Sequence, residues 1–208
     1  LLAALMPTVL QIIVATSTAY AVGRDVETRH RLRVLRRLGG GLWPAMFGKL
    51  LPYTLVFLFV LGLADLVLFL WFKMPLRGDR MLLLMAGTLF ILANQLFGAL
   101  LAVVLRSTAT AISVASLVTA SAFGFMGVGF PRFGMTPFAY YWGGALPGTW
   151  YMTARIDQTL RGTPADLSLQ PLAVLLFMVV VLAALTAFCL QRQGHKRQKA
   201  DLALEALS

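Results

Sequence analysis

The chain is predicted to be an all-α membrane protein with five transmembrane helices. Three observations carry that prediction. Of its 208 residues 59% are apolar, against roughly 45–50% in an ordinary soluble domain. Charged residues make up 12%, about half the soluble norm of roughly 25%. Five separate stretches reach the ~20 apolar residues that a helix needs to cross the hydrocarbon core. A compact soluble fold this small cannot hide so much apolar surface behind so few charges, and a mean hydropathy of +0.81 agrees.

The first span is expected at about 1–22. No basic run precedes it and no small-residue cleavage site follows it, so it does not read as a signal peptide. The chain begins with Leu1 rather than Met, which leads to the expectation of further chain upstream. Thr16, Ser17 and Thr18 suit hydrogen bonds between helices. The second span is expected at about 50–72 and the third at about 81–105, where Asn94 and Gln95 are the polar pair. The fourth, at about 109–130, is dominated by Ser, Thr, Ala and Gly. Ser116, Ala120 and Gly124 recur there every four residues, as do Ala115 and Thr119, giving small surfaces that let another helix approach closely. The fifth runs at about 169–190. No internal repeat is visible, which weakens a reading as an inverted-repeat carrier.

Asp65 is the one acid at mid-span depth. An intramembrane carboxylate marks a functional site by default, and Asp65, Asn94 and Gln95 are therefore candidates for a transport path. The alternatives are solvation of Asp65 near the surface and ordinary interhelical hydrogen bonding for the two amides.

The net charge is +10. On a soluble chain this would suggest nucleic acid; on a membrane chain the question is which loops carry it. Arg24, Arg29, Arg31, Arg33, Arg36, Arg37 and Lys49 follow the first span, Arg106 stands between spans three and four, and Arg192, Lys196, Arg197 and Lys199 follow the fifth. The opposite side holds only Lys73, Arg77, Arg80, Arg132, Arg155 and Arg161. The positive-inside rule then puts residue 1 outside and the C-terminus in the cytoplasm. Nucleic acid is not an expected partner.

Residues 24–49 read as a cytoplasmic coupling segment. Asp25 and Arg29, and Glu27 and Arg31, stand at i,i+4 in the favourable order for a helix, and Leu32, Leu35 and Leu38 add an apolar stripe. Gly39–Gly41 break this helix, and a second short amphipathic piece from Trp43 to Lys49, with Pro44 in its first turn, leads into span two. A polybasic segment held on anionic lipid, worth about 1 kcal/mol per basic residue, is the simpler reading. It requires neither the acids nor the leucine stripe, which suit a docked protein partner.

Eight aromatic residues crowd between Phe130 and Tyr151, among them Tyr140, Tyr141, Trp142, Trp150 and Tyr151. Gly143, Gly144, Pro147 and Gly148 cut residues 131–168 into two short helices. These are expected to be re-entrant or interfacial helices capping the outer mouth, with a plain aromatic belt as the alternative.

Catalytic chemistry is not apparent. His30 and His195 lie in basic flanks without a second ligand at metal spacing, and Cys189 is the lone cysteine, which excludes an internal disulfide. No G-x-S-x-G or H-E-x-x-H run occurs. Gly48-Lys49 superficially suggests a P-loop, but Trp43 and Leu50 occupy the positions of its first glycine and its Mg²⁺-binding hydroxyl. No cofactor is therefore expected in this chain.

The order of features resembles the permease, or membrane subunit, of ABC-2 type ABC transporters, the bacterial drug and polymer exporters. Gly23-Arg24 through Glu27 follow a span, and Phe47-Gly48-Lys49-Leu50-Leu51-Pro52-Tyr53 enter the next. Met74-Pro75-Leu76-Arg77-Gly78 fall in the first outer loop. Leu146-Pro147-Gly148-Thr149-Trp150-Tyr151 and Arg161-Gly162 precede the last span. The run Arg29-His30-Arg31-Leu32-Arg33 is more basic than usual for the family, and Gly39–Gly41 depart from it. The resemblance implies a six-span subunit of which this is the part after the first span and an extracytoplasmic domain. It further implies a homodimer or heterodimer with a second permease in the bacterial inner membrane, and a cytoplasmic ATPase subunit holding ATP and Mg²⁺. Arg24, Asp25, Glu27, Arg29, Arg31, Leu32, Leu35, Gly48 and Lys49 would couple to that ATPase, while Pro147 and the aromatic segment would form the outer gate. A secondary carrier or channel, a scaffold for a cytoplasmic complex and an intramembrane enzyme are the competing classes.

Overall fold

A computed structural model describes residues 2–27, 42–73, 75, 77–127 and 134–205. Among these residues there is no strand. The helices are α1 (Leu2–Glu27), α2 (Leu42–Leu70), α3 (Arg80–Leu105), α4 (Thr108–Phe125), α5 (Pro137–Gly144), α6 (Pro147–Ile156) and α7 (Ala165–Glu205), with a π-helical turn at Asp157–Arg161 after α6. Five of them, α1 to α4 and α7, are long and apolar enough to cross a membrane.

Helix α3 is the hub, in contact with α1, α2, α4, α6 and α7. Its ends follow from local chemistry: the Asp79 side chain accepts from the Met81 amide at 2.7 Å to open it, and Arg106 in the left-handed region (φ 57°) closes it. Ser107 then caps α4, so two residues suffice to reverse the chain. Gly98 lies so close to the Ala15 carbonyl that a Cβ there would collide with backbone. Ala15, Ala19 and Val22 of α1, Ala99, Ala102 and Val103 of α3 and Ala111 and Ala115 of α4 form an alanine-rich core around that crossing. Small residues allow this approach where lipid gives no hydrophobic drive between helices. The fourth-span surface expected from Ala115 and Thr119 therefore serves α1, whereas Ala120 and Gly124 stay exposed. A second core, built of larger side chains, joins Leu10, Phe57, Leu61, Phe90, Tyr151 and Leu175.

Four boundaries differ from expectation. Helix α1 continues through Gly23–Glu27, absorbing the start of the expected coupling segment. Residues from Leu42 form one helix with the second span instead of a separate piece. Helix α4 ends at Phe125, short of 130, and α7 runs on to Glu205 where only a tail was expected. In α7 the extension contains strong helix formers such as Gln, Lys, Ala, Leu and Glu.

Candidate functional site: two polar clasps and the helix pair between them

The ion pairs of the described residues fall toward the two ends of the bundle. The basic end holds the C-termini of α1 and α3 and the N-termini of α2 and α4. The aromatic end holds α5, α6 and the π turn.

At the aromatic end α6 is mostly buried, with Thr149, Tyr151, Ala154 and Arg155 all at most 1% exposed. Pro147 opens it, where a missing N–H is harmless. One turn apart on α6, Tyr151 and Arg155 act together. Arg155 Nη1 donates to the Tyr151 hydroxyl at 2.7 Å and Nη2 to Asp65 Oδ1 of α2 at 2.5 Å. Tyr151 also stacks on Phe90 of α3, with ring centroids 4.5 Å apart. Burial, the largest influence on the Tyr151 phenol, pushes it up to about 12, so it stays neutral beside the guanidinium. Asp65 is therefore not the lone carboxylate that the sequence suggested.

Gln158 adds a second tie. Its carbonyl accepts from the Gly78 amide at 2.8 Å, its Oε1 accepts from the Asp79 amide at 2.7 Å, and its Nε2 donates to Ser168 Oγ at 2.6 Å. Gly162, left-handed at φ 61°, sits against Arg77. The two short runs around Arg77-Gly78 and Arg161-Gly162 thus meet in space.

Helix α5 is the opposite of α6. Phe138 and Tyr141 are 73% and 75% exposed, and Tyr140 is exposed too. Trp142 Nε1 donates to Ser121 Oγ of α4 at 3.1 Å. The Thr149 hydroxyl and the Trp150 indole donate to the Gly143 and Gly144 carbonyls at 2.6 and 2.8 Å, capping the end of α5 and locking the α5–α6 turn.

The candidate path residues do not converge. Asn94, Trp142 and Pro147 border one cavity. Gln95, the next residue on α3, faces α2 instead, where its Oε1 accepts from the Thr54 hydroxyl at 2.8 Å. Successive helical residues point about 100° apart, so this pair could not share a face.

At the basic end Lys49 forms an ion pair with Asp25 and donates to the Ala21 carbonyl at 2.6 Å. Glu27 Oε1 accepts from the Thr108 amide at 2.6 Å. A carboxylate there satisfies an unpaired amide and suits the positive end of α4. The two acids expected to pair with Arg29 and Arg31 thus have partners inside the bundle. Arg24 is exposed and donates to the Tyr20 hydroxyl at 2.8 Å. Gly48 is exposed, and a Cβ there would meet no described residue within 4 Å. Arg29, Arg31, Leu32 and Leu35 lie outside the described residues.

Along α2, Leu50, Phe57, Leu61 and Leu68 are the buried positions among the described side chains, and Thr54 and Asp65 share their face by helical spacing. Only about one residue in six of this span is buried. A family model described as "ABC-2 family transporter protein" matches residues 1–188. The chain belongs to the ABC-2 transporter family. It is a membrane permease component of an ABC transporter, and the family implies an ATPase partner. No curated protein and no solved structure matches the chain.

Within this ABC-2 chain, Arg155, Gln158, Gln11 and Thr108 escaped the sequence reading. Arg155 counted only as a loop charge, although an acid inside a span calls for a cation and Tyr151 stands four residues before it. Gln158, Gln11 and Thr108 left no signal, since they meet backbone groups, a hydroxyl and the Glu27 carboxylate through tertiary contacts that no local spacing marks.

Proposed function

We propose that this permease moves a lipophilic or polymeric substrate out of the cytoplasm or inner leaflet of a bacterial inner membrane, driven by ATP hydrolysis on a separate ATPase subunit. The basic end faces the cytoplasm, and a second permease, identical or related, completes the transporter. The ATPase docks on the segment around residues 24–49, and its closure moves the basic ends of α1 and α2. Helix α2 carries that motion to the gate helix α6. The observation supporting this reading is that α2, weakly packed along its length, is tied through Lys49 at the end of the docking segment and through Asp65 to Arg155 of the gate helix. The pairing of Asp65 with Arg155 also removes the one mid-span acid from service in ion coupling, which weighs against a secondary carrier.

Reversing Arg29→Glu and Arg31→Glu in the reconstituted transporter tests the docking assignment. ATP hydrolysis should be uncoupled from transport while membrane insertion and bundle stability persist, because the acids of that segment have partners within the subunit. Normal transport by this variant would overturn the assignment.

A further inference from the structure

Helices α2 and α3 touch where a Cβ on Gly87 would fall 2.8 Å from Leu61 Cδ2. Toward the aromatic end they border a groove of about 850 Å³, lined by Leu58, Gly62 and Leu70 of α2 and by Arg80 and Leu84 of α3. Gly62 is exposed, and a Cβ there would meet no described residue within 4 Å. Leu70 and Leu84 are exposed as well, so the groove opens sideways to the bilayer. From Leu58 to Leu70 it runs about 18 Å at 1.5 Å per residue. That is close to the depth of one leaflet of a roughly 30 Å hydrocarbon core.

The mouth of the groove is charged. Trp71 follows α2 and is 84% exposed, which marks the headgroup level that indole rings favour. In the same segment Lys73, Arg77 and Arg80 are exposed, and none of the three forms an ion pair among the described residues. Asp79 is the one acid of this segment, and its carboxylate caps α3. Asp65 borders the groove too, but it is paired with Arg155. Asp157, on the π turn, is paired with Arg161. Unbalanced positive charge therefore stands at headgroup level over an apolar slot of one leaflet's depth.

We propose that this groove holds one phospholipid with a net negative headgroup, its acyl chain along α2 between Leu58 and Leu70 and its phosphate on Arg80. Arginine pairs with phosphate through two parallel N–H groups, and Lys73 and Arg77 add to the attraction for an anionic lipid. A zwitterionic lipid would leave the excess charge unbalanced. A second copy related by a two-fold axis along the membrane normal would bring its own basic cluster to the same depth, where like charges repel. The site needs only a bundle that spans the bilayer, so it stands whatever the direction or substrate of transport.

The test uses the full-length permease with its ATPase in phosphatidylcholine nanodiscs. A bimane fluorophore is placed on Leu63→Cys in a Cys189→Ala background, beside the groove on an exposed position. The probes are phosphatidylglycerol and phosphatidylcholine carrying a nitroxide quencher on one acyl chain. The anionic probe should quench saturably at about tenfold lower mole fraction than the zwitterionic one. Arg80→Gln should erase that preference, whereas Arg106→Gln at the opposite end should leave it intact. Gly62→Phe, which fills the slot but keeps every charge, should erase it too. Equal quenching in the labelled parent protein, or a preference that survives Arg80→Gln, would overturn the site. A preference that survives Gly62→Phe would mean that the charges merely draw lipid to the surface, and would overturn it as well. So would loss of the preference in Arg106→Gln, or a disulfide between two permease copies through Leu66→Cys in the same background. The comparison of the two lipids needs no groove variant, so a folding defect in Arg80→Gln or Gly62→Phe cannot mask the answer.

Discussion

The two ends of α2 are fastened by the same chemistry in different surroundings. Lys49 and Asp25 keep 27% and 13% of their side chains exposed, whereas Arg155 and Asp65 keep 2% and 18%. Around the first pair the helices meet through small alanines; around the second they meet through Phe57, Phe90 and Tyr151. The contrast lies in the cations: Lys49, 27% exposed, can part from Asp25 and be rehydrated, so this half-open pair lies near the upper edge of the roughly 0–1 kcal/mol of surface pairs. A buried arginine stripped of its carboxylate keeps a charge that water cannot reach, so parting such a pair costs about 3–5 kcal/mol. The aromatic-end clasp therefore acts as a rivet and the basic-end clasp as a catch. A helix with one releasable and one fixed end can swing at the basic end while carrying α6 with it.

The largest expected effect comes from breaking the rivet. Arg155→Ala or Asp65→Ala should lower stability by about 3–5 kcal/mol, read from denaturant unfolding in detergent, while the volume-matched apolar pair Arg155→Met with Asp65→Leu should recover most of it. A loss below about 1 kcal/mol for the single variants would mean that the pair is not the fastening. The smaller effect belongs to the catch. Lys49→Met should cost about 1 kcal/mol, and the difference from the unaltered protein should shrink as salt is raised from low to about 1 M. A salt-independent loss as large as that for Arg155 would erase the distinction between the two ends.

The number of spans, the short turn at Arg106-Ser107 and the break between α5 and α6 were legible in the sequence, because hydropathy and Gly/Pro punctuation are local signals. The runs around Asp25, Lys49, Arg77-Gly78 and Arg161-Gly162 were legible as motifs too. Their pairing was not: Lys49 to Asp25, Gly78 to Gln158 and Asp65 to Arg155 join residues 24, 80 and 90 positions apart, and nothing in one sequence fixes which distant polar groups meet. Burial of α6 was equally hidden. Its aromatics resemble those of α5 in composition, yet Tyr151 is fully buried while Tyr141 is 75% exposed. Periodicity over ten residues is too short to separate a plugged helix from an interfacial one. The acids Asp25 and Glu27 looked like partners of Arg29 and Arg31 because i,i+4 spacing is visible in sequence and tertiary competition is not.

The most direct test of the catch-and-rivet account places spin labels at two pairs of exposed positions in a Cys189→Ala background, within the permease–ATPase complex. Arg24 with Gly48 reports the basic end, and Leu66 with Leu160 reports the aromatic end. Distances are measured by pulsed electron resonance without nucleotide and in an ATP-trapped state. The account predicts that the first distance shifts by several ångströms (on the order of one helical turn) while the second stays within its original width. A fixed first distance with a shifted second one would contradict it.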